Sequence, residues 1–211
     1  MFKSGFVNII GLPNAGKSSI INRLLDDKFS IVTSKAQTTR HRAHAIINGE
    51  DFQVVISDTP GFTIPKNKIH EYMNKKILSS FKDADIILFI VELGAENRRD
   101  NQLIEKIKKI KIPVLLVLNK VDKVNQDILE KESKFWSDEI ENIETWVVSA
   151  KENFNIENLK NRVIELLPEG PRYYPDDIWT DKNERFFANE IIREKIFNIY
   201  SQEIPYVSEV I

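Results

Sequence analysis

Gly11-Leu12-Pro13-Asn14-Ala15-Gly16-Lys17-Ser18 stands between the apolar run Phe6 to Ile10 and the helix-patterned Ser19-Ile20-Ile21-Asn22-Arg23-Leu24-Leu25. The spacing is G-x-x-x-x-G-K-[ST], a phosphate-cradling loop that joins a strand to a helix. Glycines let the backbone close around a phosphate, so that N–H groups along the loop and into Ser18 and Ser19 point inward. The helix that follows adds the positive end of its dipole. In this geometry the Lys17 ammonium reaches β- and γ-phosphates, and the Ser18 hydroxyl ligates Mg²⁺. An ordinary glycine-containing turn is the competing reading, and it does not require the buried strand before or the helix after.

Outward from the loop, the pattern alternates between strands and helices. Ala43 to Asn48 and Gln53 to Ser57 read as strands around the turn Asn48-Gly49, a hairpin signal. Ile69, Met73, Ile77 and Phe81 recur every four residues, as in an amphipathic helix. Ile86 to Val91 is a continuous apolar run, the mark of a strand buried on both faces. Asp100 is placed to cap a helix carrying Leu103, Ile104 and Ile107, which Pro113 ends. Val114 to Leu118 reads as a strand, Gln126 to Ile140 as a helix, Glu144 to Val148 as a strand and Ile156 to Leu167 as a helix. Alternation at this length predicts an α/β fold: a doubly wound, mostly parallel sheet with helices on both faces. Residues 1–168 form that domain, and the proline-rich 169–182 reads as a linker. Helix-patterned Asn183 to Tyr200 and strand-like Ile204 to Ile211 follow, too short for an independent core. The aromatic pair Phe186 and Phe187 reads as core rather than as a base-stacking platform.

Composition bounds the function classes. With 211 residues, 42% hydrophobic and 29% charged, the chain is of globular type, and a net charge of −2 gives no global pull toward nucleic acid or anionic membrane. Absence of cysteine excludes thiolate metal sites and disulfides and fits the cytoplasm. No apolar run is long enough to span a bilayer, and no signal-peptide pattern opens the chain.

Polar motifs fall at the carboxyl ends of the predicted strands, where doubly wound sheets bind ligands. Asp58 sits where a carboxylate holds Mg²⁺ directly or through water, and Thr59-Pro60-Gly61 follows it. Gly61 can offer its N–H to a γ-phosphate because no side chain blocks the approach. The loop at Thr38-Thr39 can add a second Mg²⁺ ligand. Asn119-Lys120-Val121-Asp122 decides which nucleotide binds. A buried Asp122 carboxylate accepts from N1–H and the exocyclic amine of guanine, whereas adenine offers no donor at either place. Sites that demand such bonds discriminate by roughly 10⁴ or more. Asn119 would brace the loop, the Lys120 stem would cover the ring, and Ser149-Ala150-Lys151 would bring a backbone N–H to guanine O6. A plain strand-to-helix turn with an N-cap aspartate is the alternative.

Taken together, Gly11 to Ser18, Gln37 to His41, Asp58 to Gly61, Asn119 to Asp122 and Ser149 to Lys151 resemble the signatures of the translational superclass of GTPases. Lys35-Ala36-Gln37-Thr38-Thr39-Arg40-His41-Arg42, Asp181 to Ile196 and Gln202 to Tyr206 resemble the Era family specifically. That resemblance implies a GTP- and GDP-binding domain followed by a KH-type RNA-binding domain, of which 183–211 is the N-terminal fragment of a chain cut short. It implies GTP hydrolysis, assembly of the small (30S) ribosomal subunit through ribosomal RNA, Thr39 as the Mg²⁺-binding threonine, and peripheral membrane association of a cytoplasmic protein. A related tRNA-modifying or ribosome-associated GTPase is the nearest alternative.

Two departures stand out. The seven glycines are never three apart, so the G-x-x-G loop with which KH domains grip RNA is absent from this sequence. Residues 169–211 carry five Lys/Arg against nine Asp/Glu, which makes no basic groove. Phe62 also stands where Ras-like enzymes place a water-orienting glutamine. Hydrolysis then rests on Lys17, Ser18, Thr39 and Gly61, and replacing Phe62 should alter it little. A nucleotide-loaded interaction module that hardly hydrolyses is the other outcome. Era-like and tRNA-modifying families imply a monovalent cation, K⁺, held in part by an asparagine at the Asn14 position; a loop-bracing role for Asn14 is equally open.

Overall fold

The computed structural model describes residues 1–33, 42–59, 61–62, 83–95, 99–200 and 210. Among them, six strands form one sheet in the order β2-β3-β1-β4-β5-β6. They are β1 (Lys3–Gly11), β2 (Ala43–Asn48), β3 (Phe52–Asp58), β4 (Ile86–Glu92), β5 (Val114–Asn119) and β6 (Glu144–Val147). Only the β2–β3 hairpin is antiparallel; β1 pairs in parallel with β3 and β4, and β4, β5 and β6 continue the parallel ladder. The hairpin closes through Gly49, Glu50 and Asp51 rather than through two residues, with the Gly49 N–H donating to the Phe52 carbonyl at 2.9 Å.

Among the described residues, five α-helices cover the sheet: α1 (Lys17–Leu25), α2 (Asn101–Ile107), α3 (Gln126–Glu139), α4 (Ile156–Leu166) and α5 (Glu184–Ile199). The apolar run of β4 serves both faces, because successive strand side chains point to opposite sides. Ile86, Leu88 and Ile90 join the core under α1 and α4, while Ile87 and Phe89 join the core with Leu103 of α2 and Trp136 of α3. Side-chain caps start three of the helices. Asp100, Asn125 and Asn183 accept from the N–H groups of Leu103, Ile128 and Phe186 at 2.9–3.0 Å. Helix α1 instead begins at Gly16 with no side-chain cap, so its first donors face the loop.

Residues 169–182, read from the sequence as a linker, run as a strap along the edge strand β2. The Ile46 N–H donates to the Trp179 carbonyl at 2.9 Å, and the His44 N–H donates to Asp181 Oδ1 at 2.8 Å. Asn48 Nδ2 donates to the carbonyls of Asp176 and Ile178. Gln53 donates to the Tyr174 carbonyl and accepts from the N–H groups of Tyr173 and Tyr174. An edge strand presents unpaired backbone groups, and the strap satisfies them. Helix α5 then returns to the sheet: Phe187 stacks on Trp179 at 5.1 Å and meets Phe29 edge-on, and both Phe186 and Phe187 pack on the core. The helix expected over Ile69 to Phe81, the loop Lys35 to His41 with Thr38 and Thr39, Pro60, and nearly all of the final strand lie outside the described residues. Among the described residues no helix is long and apolar enough to cross a membrane.

Candidate functional site

The carboxyl ends of β1, β3, β4 and β5 converge on one edge of the sheet, and the loop Gly11 to Ser18 lies across them. Two glycines are dictated by contact. A Cβ on Gly16, whose φ is 97°, would come within 2.1 Å of Asn119 Nδ2, and one on Gly61 would sit 2.8 Å from the Pro13 nitrogen. The turn after β3 therefore rests directly on the loop. Asn14 also holds a positive φ of 65°, and its carbonyl accepts from Lys120 Nζ at 2.7 Å.

Lys17 is buried, and its ammonium donates to the carbonyls of Gly11 at 3.2 Å and Leu12 at 2.9 Å. Burial pushes its pKa down to about 8, partly offset by the Asp58 carboxylate. Ser18 Oγ stands 3.5 Å from Asp58 Oδ2, so hydroxyl and carboxylate face each other across a gap. That oxygen donor set suits a hard cation such as Mg²⁺. No cluster of three or more His, Cys, Asp or Glu occurs among the described residues, so any metal here depends on ligands beyond a carboxylate cage. Thr59 Oγ1 donates to the Ile9 carbonyl at 2.6 Å and fixes the start of the turn.

Asn119 ties the far side together. Its Nδ2 donates to the Ala15 carbonyl at 2.9 Å, and its Oδ1 accepts from the Ala150 N–H at 3.1 Å. Asp122 Oδ1 accepts from Ser149 Oγ at 2.6 Å. Asn119, Asp122 and Ala150, with Gly16, Ser19, Lys120 and Lys151, line a cleft of about 570 Å³, within the range of small-molecule sites.

Two expectations need correction. Asp122 is exposed in the cleft wall, not buried; burial of its carboxylate requires a base lying over it. Phe62 is 2% exposed, and its ring belongs to the core beside α2, under Lys106 Nζ at 5.0 Å. What it offers the loop is its N–H, which donates to the Gly11 carbonyl at 3.0 Å. Phe62→Ala should therefore cost about 3–5 kcal/mol of stability, measured by urea unfolding, in addition to any effect on turnover.

A family described as 50S ribosome-binding GTPase matches residues 6–120. GTPase Era of Clostridium acetobutylicum is 44% identical over 207 residues, spanning 98% of this chain and 70% of its own length. The chain belongs to the Era family of GTPases. The Era of Clostridium kluyveri is 43% identical over the same share of this chain. A crystal structure of Era with MgGDPNP and nucleotides 1506–1542 of 16S ribosomal RNA superposes with a TM-score of 0.88 at 34% identity, covering 98% of this chain and 70% of that one. A variant of Aquifex aeolicus Era bound to GDP·AlF₄⁻ gives 0.86 at 34% identity, over 97% and 70%.

Four residues outside the signature motifs support the site in this Era-family chain. Arg23 on α1 donates to the carbonyls of Ala150 at 2.7 Å and Lys151 at 3.0 Å, stapling their loop to the helix. Glu92 pairs with Lys120 at 2.8 Å and sets the stem that crosses the cleft. Asn22 grips the backbone of Phe29 and Ser30, and Ser30 Oγ donates to Asp58 Oδ2 at 2.7 Å. None lies in a signature; the polar face of α1, opposite Ile20, Ile21 and Leu24, was the available signal.

Proposed function

We propose that this chain binds GTP with Mg²⁺, hydrolyses it to GDP and phosphate, and uses the cycle in assembly of the small ribosomal subunit. The observation that carries the nucleotide reading is the Asn119 bridge, which joins the phosphate loop to the segment beside Asp122. Asp122 and the Ala150 and Lys151 backbone read the guanine, with Lys120 across its face. Gly11 to Ser19 cradle the phosphates, and Gly61 offers its N–H to the γ-phosphate. Ser18, Asp58 and, by family resemblance, Thr39 hold the metal, which supplies charge neutralisation on the transferred phosphoryl group. Lys17 adds the fixed protein charge there.

Competition between GTP and ATP tests the base. Asp122→Asn should weaken GTP and favour xanthine nucleotides, whose 2-oxo group accepts from a carboxamide; unchanged GTP affinity sinks the role of Asp122.

The Phe62 ring lies in the core, away from the place where a glutamine would orient water. This favours K⁺ beside Lys17, with the Asn14 carboxamide as one of its ligands. Turnover should then be faster in potassium than in sodium at equal ionic strength, and Asn14→Ala should remove the difference. The same observation supports a second reading, a switch that hydrolyses very slowly, which multiple-turnover phosphate release distinguishes.

The RNA partner rests on the Era structure that contains 16S ribosomal RNA nucleotides. Residues 1–168 are the GTPase domain and 183–211 the N-terminal part of a KH-type domain in this reading. Residues 1–211, without a G-x-x-G loop, should bind fluorescent small-subunit RNA weakly and lose it as salt rises. A ribosomal partner fits action in the cytoplasm. A net charge of −2 lends no electrostatic support to peripheral membrane binding, which vesicle sedimentation tests.

A further inference from the structure

We infer that Ser30 is a positioning residue for the metal-holding carboxylate, clamped for that purpose by Asn22. The inference rests on the assignment of Asp58 to Mg²⁺ above. Asn22 spends its whole carboxamide on one short segment. Its Oδ1 accepts from the N–H of Phe29 at 3.1 Å and of Ser30 at 2.7 Å, and its Nδ2 donates to the Ser30 carbonyl at 2.8 Å. Three bonds from one α1 side chain thus fix the Ser30 backbone relative to the phosphate loop that opens the same helix. From there Ser30 Oγ donates to Asp58 Oδ2 at 2.7 Å, with both residues buried.

Ser18, the other hydroxyl near that oxygen, stands at 3.5 Å. A carboxylate oxygen has two lone pairs. Ser30 takes one at 2.7 Å, and the Ser18 hydroxyl approaches the same oxygen more loosely at 3.5 Å, so a cation shared by Ser18 and Asp58 would replace the Ser18 contact rather than the Ser30 bond. Ser30 therefore holds the carboxylate without standing in the cation's place. Partners of this kind set ligand orientation and typically contribute 10–100-fold in metal affinity.

The test is Mg²⁺ dependence of fluorescent GDP retention, read as the Mg²⁺ concentration at which nucleotide release slows by half. Ser30→Ala should raise that concentration at least about tenfold, with GDP affinity in EDTA close to that of the parent. Ser30→Thr, which keeps the hydroxyl, should restore most of the loss, and thermal unfolding monitors the fold of each variant. Asp58→Asn is run beside them and should abolish most of the Mg²⁺ response. If Asp58→Asn does so and Ser30→Ala leaves the Mg²⁺ requirement unchanged, the positioning role is overturned. If Ser30→Ala tightens Mg²⁺ binding, Ser30 competes with the metal and the inference is equally wrong. A normal Mg²⁺ response in Asp58→Asn removes the metal assignment itself, and the inference with it.

Discussion

The two halves of the site are held in different ways. At the base-reading end, Asn119 uses both halves of its carboxamide on Ala15 and Ala150, Ser149 holds Asp122, and Lys120 reaches the Asn14 carbonyl. Segments far apart in sequence are locked by bonds that a bound guanine need not disturb. At the phosphate end, the charged groups are engaged with the chain itself. Lys17 donates to the Gly11 and Leu12 carbonyls, and Asp58 accepts from Ser30. Lys17 must exchange partners to meet a phosphate. Base recognition is thus built in advance, and the response to the number of phosphates belongs to the end that rearranges.

Removing the Lys17 charge should break this division most severely. Lys17→Met is expected to lower kcat by roughly 10³-fold or more, since it removes fixed charge aimed at the transferred phosphoryl group. A loss confined to GDP affinity would contradict the division. At the other end, Asn119→Ala leaves the Ala15 carbonyl and Ala150 N–H without their bridge. Buried groups left unpaired cost about 1–3 kcal/mol each, so GDP affinity measured by calorimetry should fall about 100-fold.

Titration of Lys17 gives the next largest effect. Its pKa in the protein is lowered to about 8, and polyphosphate requires the charged form. Binding therefore takes up a proton once pH exceeds about 8. Nucleotide affinity should fall toward tenfold per pH unit above that point, and Lys17→Met should lose this slope. The smallest effect sharpens the base end alone: Arg23→Ala removes the staple on Ala150 and Lys151, and GDP affinity should drop a few-fold to about tenfold.

Local patterns made most of the fold readable. Asp100 caps the helix it precedes, as its position indicates, and the unbroken apolar run of β4 faces two cores because helices cover both sides. The prolines and single glycine of 169–182 describe backbone stiffness and say nothing about which neighbour satisfies the segment's polar groups, so its course along β2 is not legible in the sequence. Side-chain direction was hidden for the same reason. Phe62 follows a polar turn, yet its ring finds the core, and Asp122 needs a base over it to be buried. Ser30 and Arg23 act through long-range bonds, 28 and 127–128 residues apart in sequence, which leave no periodic trace.

The strap also has a consequence during synthesis. Asn48 on β2 finds its partner at Ile178, 130 residues later. At 5–20 residues per second, a ribosome needs on the order of ten seconds to bridge that interval. Through that time a nascent chain carries Ala43 to Asn48 with an open edge, able to pair with any neighbouring extended segment. The strap is thus a late-arriving guard against misassembly, and chaperone occupancy of stalled chains should fall once residue 181 has left the exit tunnel.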